Sequence, residues 1–238
     1  MRQSNLYIVL YAAILTVVCG GVLAWASEGL KEKQQANIAL EQKKNILSAV
    51  VELKEGEDIS ALYAKKVKAF VVDYQGNKVQ GVQPKDVVVA AEYKKPAEER
   101  LLPVYEFKSE SDSSKTEYVV LPVYGFGLWD HIWGYVALQS DFSTVQGVKF
   151  QHKGETPGLG ARIESDEEVQ NRYKGKTFYD KNTFVSITMM KGEGNDWTGD
   201  QHKVDGLSGA TLTAKGVNNM LKDYIASYEN YFKKNGKK

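Results

Sequence analysis

The sequence predicts an α+β fold: an apolar N-terminal transmembrane helix followed by one domain built on a mainly antiparallel sheet. Three observations carry this. An uncharged apolar run opens the chain, short segments rich in β-branched and aromatic residues fill its middle, and an amphipathic segment closes it. The implied segments are an anchor at 1–27, a membrane-proximal helix at 28–56 and a domain at 57–238.

The anchor comes first. From Leu6 to Ala26 no residue is charged, and Arg2 and Glu28 bracket the run. At ~1.5 Å per residue it spans ~31 Å, enough to cross a bilayer's hydrocarbon core. Ala24-Trp25-Ala26 has the small-x-small pattern of a signal-peptide cleavage site. The run is longer than a signal core of about 7–15 residues, so a retained anchor is favoured. Val18 ahead of Cys19 argues against a lipoprotein. Orientation stays open, because Arg2 stands before the span while Lys31 and Lys33 follow it amid Glu28 and Glu32.

Beyond the span, residues 28–54 hold strong helix formers and no proline, so the helix continues until Glu55-Gly56-Glu57 breaks it. A second helix is predicted over 58–73, with Asp58 as N-cap and Ile59, Leu62, Tyr63, Val67 and Phe70 as its apolar stripe. Strands are predicted at 87–93, 103–107, 117–126, 134–141, 145–152 and 184–191. The polar stretch Ser109–Glu117 reads as a surface hairpin loop. In the last helix Val217, Met220, Leu221, Tyr224, Ile225, Tyr228 and Phe232 share one face, and KKNGKK trails it as a solvated tail.

Composition excludes several classes. With 31 basic and 30 acidic residues there is no electrostatic footprint for nucleic acid. One cysteine rules out an internal disulfide framework and a cysteine metal cage. His131, His152 and His202 stand at no metal-ligand spacing, so no metal site is predicted.

The segment VDGLSGATLTAKGV, Val204 to Val217, is the chemically dense one. It crowds Asp205, Ser208, Thr211 and Thr213 against the start of the last helix, where unpaired N–H groups and the helix dipole favour an anion. Gly206, Gly209 and Ala210 let backbone approach a bulky group closely. N-capping by Thr211 or Thr213 explains one threonine but not the whole unit. The phosphate loop G-x-x-x-x-G-K-[ST] is missing, YGFGLWD lacks the third glycine of a dinucleotide fingerprint, and GLSGA is one residue short of a nucleophile elbow. The residues alone indicate an anion site near a helix start.

VDGLSGAT resembles the flavinylation motif Asp-x-x-Ser/Thr-x-Ala-Thr. GFGLWDHIWGYVAL, SDFSTVQGVKFQHKGETPGLGARIE and SGATLTAKGV occur in this order, and together they resemble the C subunit of the sodium-translocating NADH:quinone oxidoreductase, of the covalent FMN-binding domain family. The likeness is clear over the last half of the chain, fits the single anchor, and brings no matching motif for about residues 30–115. It implies an FMN phosphate esterified to Thr211, with Ser208, Gly209 and Ala210 around the phosphate; Asp205, an acid beside an anion, is read as serving the attachment step rather than the finished site. It implies that Glu155, Thr156, Gly158 and Leu159 contact the isoalloxazine from a Pro157-Gly158 type II turn, and that Lys191 lies near the flavin, where a cation favours the reduced anionic form. Trp129 either stacks on the ring or packs in the core, and its bulk favours the core.

The resemblance further implies an extracytoplasmic, periplasmic domain on a single-pass anchor in the bacterial inner membrane. A separate flavin transferase would load FMN from FAD. Partners would be an FMN protein like the B subunit of that complex and iron–sulfur membrane subunits, with sodium, NADH and quinone sites left to them. No catalytic acid or base is expected, since electron relay asks the protein for orientation and electrostatics. The nearest alternative is the G subunit of the Rnf ferredoxin:NAD oxidoreductase complex, with the same linked FMN. From other classes come a non-redox anchored binding module that holds a phosphate-bearing ligand reversibly, and a serine hydrolase centred on Ser208.

Overall fold

A computed structural model describes residues 4–109 and 115–236. The chain divides into two units, Met1–Gln42 and Lys43–Lys238. Helix α1 (Asn5–Ser48) supplies the first unit and ends within the second. An 18-residue window of α1 has mean hydropathy 2.4 and none of it is buried, so α1 is long and apolar enough to cross a membrane. It stops at Ser48, six residues before the predicted break, because Asn45, Ile46 and Leu47 are already buried in the second unit and the chain turns there.

Asp58 caps α2 (Ile59–Lys66) as predicted, its carboxylate accepting from the amides of Ser60 and Ala61 at 3.0 Å. The helix then ends early. Val67 to Val72 is strand β1 (Val67–Val72), paired antiparallel with β2 (Leu102–Lys108) from Val67↔Phe107 to Val72↔Leu102. The apolar residues there fit both periods, and the distant partner decides. Between these strands the predicted strand 87–93 is instead a single helical turn, α3 (Val89–Glu92).

The remaining strands follow the prediction: β3 (Thr116–Phe126), β4 (His131–Gln139) and β5 (Val145–His152) complete a five-stranded antiparallel sheet in sequential order. Ser109 N–H donates to Lys115 O where the β2–β3 hairpin closes; the rest of its loop lies outside the described residues. Pro122 is tolerated inside β3 because the pairing with β2 ends at Val120, so its missing N–H faces no ladder there.

Two short helices, α4 (Arg162–Ser165) and α5 (Glu167–Asn171), lie beside β5. Two-residue pairs follow: β6 (Tyr179–Asp180) with β7 (Thr183–Phe184), and β8 (Thr188–Met189) parallel to β9 (Lys203–Val204). The predicted strand 184–191 therefore survives only in part. Helix α6 (Thr211–Ser227) packs on β3 and buries Val217, Met220, Leu221, Tyr224 and Ile225, each worth about 1.5–3 kcal/mol. The predicted single C-terminal helix breaks at Tyr228 into α6 and α7 (Glu229–Lys234), whose Tyr231 and Phe232 stay in the core. Lys233 and Lys234 are thus helical rather than tail, and Lys237 and Lys238 lie outside the described residues. The other sheet face is covered by Ile46, Leu47 and Ala49 and by α2.

Candidate functional site

Helix α6 begins at Thr211 with Ala210 in the capping position and no side chain accepting from its first amides. The expected threonine cap is not made. Thr213 is buried, and its hydroxyl donates to Glu155 Oε2 at 2.5 Å. Thr211 is exposed at the helix mouth. Of the preceding amides, Ser208 donates to Glu193 Oε2 at 3.1 Å and Ala210 to Leu207 O at 3.2 Å. Both are therefore committed within the protein. The amides of Gly209, Thr211, Leu212 and Thr213 find no acceptor among the described residues. Four free N–H groups, a helix dipole and the exposed hydroxyls of Ser208 and Thr211 make an anion cradle.

The loop after β5 forms one wall. Leu159 N–H returns to Thr156 O at 3.1 Å and Gly158 has φ +74°, as a type II turn through Pro157-Gly158 requires. Leu159 leans over Gly209, where a Cβ would lie 2.8 Å from Leu159 Cδ2. Gly209 has φ +72°, which disfavours a side chain there, whereas the exposed Leu159 tip could swing aside. Glu155 is 4% exposed and faces inward. Its Oε1 accepts the amides of Leu128 and Trp129, both at 2.9 Å, and Oε2 takes Thr213. One carboxylate thus ties the β3–β4 turn, the 155–160 loop and the first turn of α6 together.

Trp129 is 68% exposed, against the expectation that its bulk places it in the core. Its backbone is fixed to Glu155 in a tight turn between two strands, which leaves the ring on the solvent side. Trp129 Nε1 donates to the exposed Thr156 hydroxyl at 3.1 Å. Leu128, Leu159 and Leu212 are exposed on the same three elements as Trp129 and form an apolar collar beside the cradle, while the exposed Phe126 ring lies against His131 and Tyr93.

Behind the cradle lies a charged network that the sequence reading missed. Glu193 accepts from Arg162 at 2.9 and 2.7 Å and from Arg172 at 3.2 Å. The Arg162 bonds, with the Ser208 amide, pull the Glu193 pKa down to about 2. Arg172 also donates to Gly206 O at 2.7 Å. Asp205 turns its carboxylate to the Gly194 amide at 2.6 Å and to Asn195. Burial works against that charge, but these amides outweigh it and hold the Asp205 pKa below the usual value. Lys191 is exposed between Met190 and Gly192, whose carbonyls press on Gly206. The one local signal for Glu193 is its position between Gly192 and Gly194, both at positive φ.

The structure therefore gathers Ser208, Gly209, Thr211, Thr156, Gly158, Leu159 and Trp129 around the cradle and buries Ala210 and Glu155 beneath it, whereas Asp205 turns its carboxylate back to Gly194 and Asn195, and Lys191 is exposed in the loop that meets Gly206. A family model described as "FMN-binding domain" matches residues 127–226. The C subunit of Na(+)-translocating NADH-quinone reductase from Haemophilus ducreyi is 35% identical over 229 residues, covering 90% of this chain and 87% of that protein. The crystal structure of the protein of the same name from Parabacteroides distasonis superposes with TM-score 0.73 at 33% identity, covering 85% of this chain and 96% of that one. Shewanella oneidensis NqrC superposes with TM-score 0.70 at 28% identity, covering 82% and 96%.

Proposed function

The chain belongs to the C-subunit family of the Na(+)-translocating NADH-quinone reductase, and from that premise we propose that Thr211 holds FMN covalently through a phosphoester on its Oγ1. At the coarser level the chain is an electron-carrying member of that oxidoreductase, with FMN as its cofactor and the other subunits of the complex as partners.

FMN supplies the reversible uptake and release of electrons that no side chain here offers. The residues present fit it. The amides of Gly209, Thr211, Leu212 and Thr213 and the Ser208 hydroxyl are placed to hold a phosphate. Trp129, Leu159 and Leu212 offer exposed apolar surface to a flat ring, and Thr156 and Gly158 shape the turn that carries Leu159. Glu155 and Asp205 act from behind: Glu155 positions the walls, and Asp205 braces the loop it sits in. Lys191, exposed in the loop that meets Gly206, would add positive potential to the site.

The single observation that carries the reading is the asymmetry of the hydroxyls. Thr213 is buried and bonded to a carboxylate, while Thr211 is exposed on an uncapped helix start. For attachment, Thr211 Oγ1 would bond to the flavin-side phosphorus of FAD, presented by a separate flavin transferase. The pyrophosphate bond breaks, AMP leaves and the hydroxyl proton passes to solvent. Residues 1–27 would anchor the chain as a single pass in the bacterial inner membrane, residues 28–56 would lead out of it, and residues 57–238 would stand in the periplasm. There a tethered cofactor keeps a high local concentration. Its exchange partners would be an FMN protein like the B subunit of that complex and the iron–sulfur membrane subunits.

The test is a denaturing gel of the native chain and of Thr211→Ala, read by flavin fluorescence with peptide mass. Fluorescence that stays with the wild-type band and vanishes in the variant is expected. Flavin released from the wild type by denaturation, with an active transferase present, would replace the linked cofactor by a reversibly bound one.

A further inference from the structure

The cradle faces solvent, but the loop that presents it is gripped from behind at almost every residue. Asp205 is held through its carboxylate by Gly194 and Asn195, and Gly206 through its carbonyl by Arg172 at 2.7 Å. Leu207 is buried, and Ser208 is held through its amide by Glu193 at 3.1 Å. A Cβ on Gly206 would sit 1.9 Å from Met190 O, so the loops at 190–195 and 205–208 are in backbone contact. Glu193 is in turn fixed by two arginines, and the Arg172 side chain is only 12% exposed. The grip reaches Ser208, three residues before Thr211, which opens α6.

We propose that Arg172 and Glu193 are positioning residues for the attachment reaction: they hold the 205–208 loop in a fixed shape, so that Thr211 Oγ1 is delivered to the transferase preoriented. The proposal rests on the reading of Thr211 as the attachment site. A partly buried ion network of this kind is weak evidence for added stability, because desolvation and solvent screening offset much of its Coulombic gain. Fixing an acceptor atom is where such a network has leverage, since misplacing a reacting atom by about 1 Å lowers a rate by as much as ~100-fold. Glu193 also removes one competing donor. With the Ser208 amide occupied, the amides left without an acceptor among the described residues are Gly209 and those of the first turn of α6, which Thr211 opens.

The experiment uses the full-length apo chain in detergent, made in a host without the transferase, then incubated with purified transferase and FAD. The rate of covalent flavin incorporation is followed on denaturing gels against apo-chain concentration, and each variant's thermal unfolding is recorded in parallel. Arg172→Met and Glu193→Gln are expected to lower kcat about 10- to 100-fold, with KM for the apo chain within about threefold and unfolding still cooperative. Arg172→Lys, which keeps the charge and one donor for Gly206 O, is expected to recover part of the loss. Glu168→Gln is the control, because Glu168 touches Arg172 at 3.1 Å from an exposed position and does not reach the loop.

Normal kcat in folded Arg172→Met and Glu193→Gln chains would overturn the proposal. So would loss of cooperative unfolding in both, which would make the network a support for the whole domain. A wild-type chain left unlabelled by active transferase would count instead against the Thr211 reading itself.

Discussion

Thr213 gives its hydroxyl to Glu155 at 2.5 Å across 58 residues of sequence, and this bond joins the helix that starts the site to the loop that walls it. Glu155 is buried with two backbone amides on its other oxygen, so three donors satisfy its two oxygens. Thr213→Ala removes one of three donors and is expected to cost about 2 kcal/mol of stability, the range for a hydrogen bond to a charged group. Glu155→Ala strands the Leu128 and Trp129 amides as well and is expected to cost more. Urea unfolding measures both. If Thr213→Ala unfolds at the wild-type midpoint, the clamp is not holding the site together. Thr213→Ala is also expected to keep its covalent flavin.

Acid is expected to weaken the loop grip before it unfolds the sheet. The folded-state pKa of Glu193 is lowered to about 2 from an ordinary 4.5, first by Arg162 and then by the Ser208 amide. A depressed carboxyl pKa means that the unfolded chain takes up the proton first. The associated stability is therefore complete above about pH 4.5 and is lost as pH falls towards 2. Asp205 and Asp166, also lowered, act in the same direction. Urea midpoints recorded between pH 6 and 2.5 should fall over this window, and Glu193→Gln should flatten the slope. A slope unchanged in the variant would assign the acid sensitivity to other carboxylates.

Trp129 provides an optical readout. It is the exposed tryptophan beside the cradle, bonded to Thr156, whereas Trp133 bonds to Gln151 on β5 and Trp197 belongs to the loop that Lys176 holds. Tryptophan emission of the wild type should drop when the flavin is attached, and much of that drop should be missing in Trp129→Phe. Stability should change by less than about 0.5 kcal/mol, because the ring is on the surface. An equal drop in wild type and variant would place the flavin away from the collar.

How far the sequence could carry this depends on how local each signal is. Helix α6 and strands β2 to β5 were legible because their apolar periods run unbroken for two turns or more, or for five residues or more. Val67–Val72 reads as helix from the sequence because Val67 and Phe70 suit either period, and only pairing with β2, thirty to forty residues on, settles it. In the site, Gly158, Gly209 and Thr211 announced themselves through turn chemistry and helix-start chemistry. Arg172 did not, because its partner carbonyl on Gly206 is 34 residues away and nothing around Arg172 marks it. Trp129 went wrong for a related reason. Its exposure is set by the contact between its own amide and Glu155, 26 residues off, and not by the size of its ring.

Two glycines of the site separate backbone handedness from close approach. Gly158 has φ +74° and open space where a Cβ would go. Gly158→Ala should therefore cost only the left-handed strain, about 1–2 kcal/mol, and leave attachment at Thr211 intact. Gly206 has no positive φ to lose, but its Cβ would lie 1.9 Å from Met190 O and 2.3 Å from Gly192 O. These are backbone atoms held in place by the β8–β9 pairing and by the Asp205 bonds, so neither can swing aside as a side chain would. Gly206→Ala must instead push the 190–195 and 205–208 loops apart. That should cost about 3 kcal/mol and also break the Arg172 and Ser208 contacts. The expected result is a folded, less stable chain that takes up covalent flavin slowly, while Gly158→Ala takes it up at the wild-type rate. Urea unfolding and gel fluorescence on both variants measure the pair. Equal uptake by the two would mean that the shape of the 205–208 loop has no bearing on the reaction.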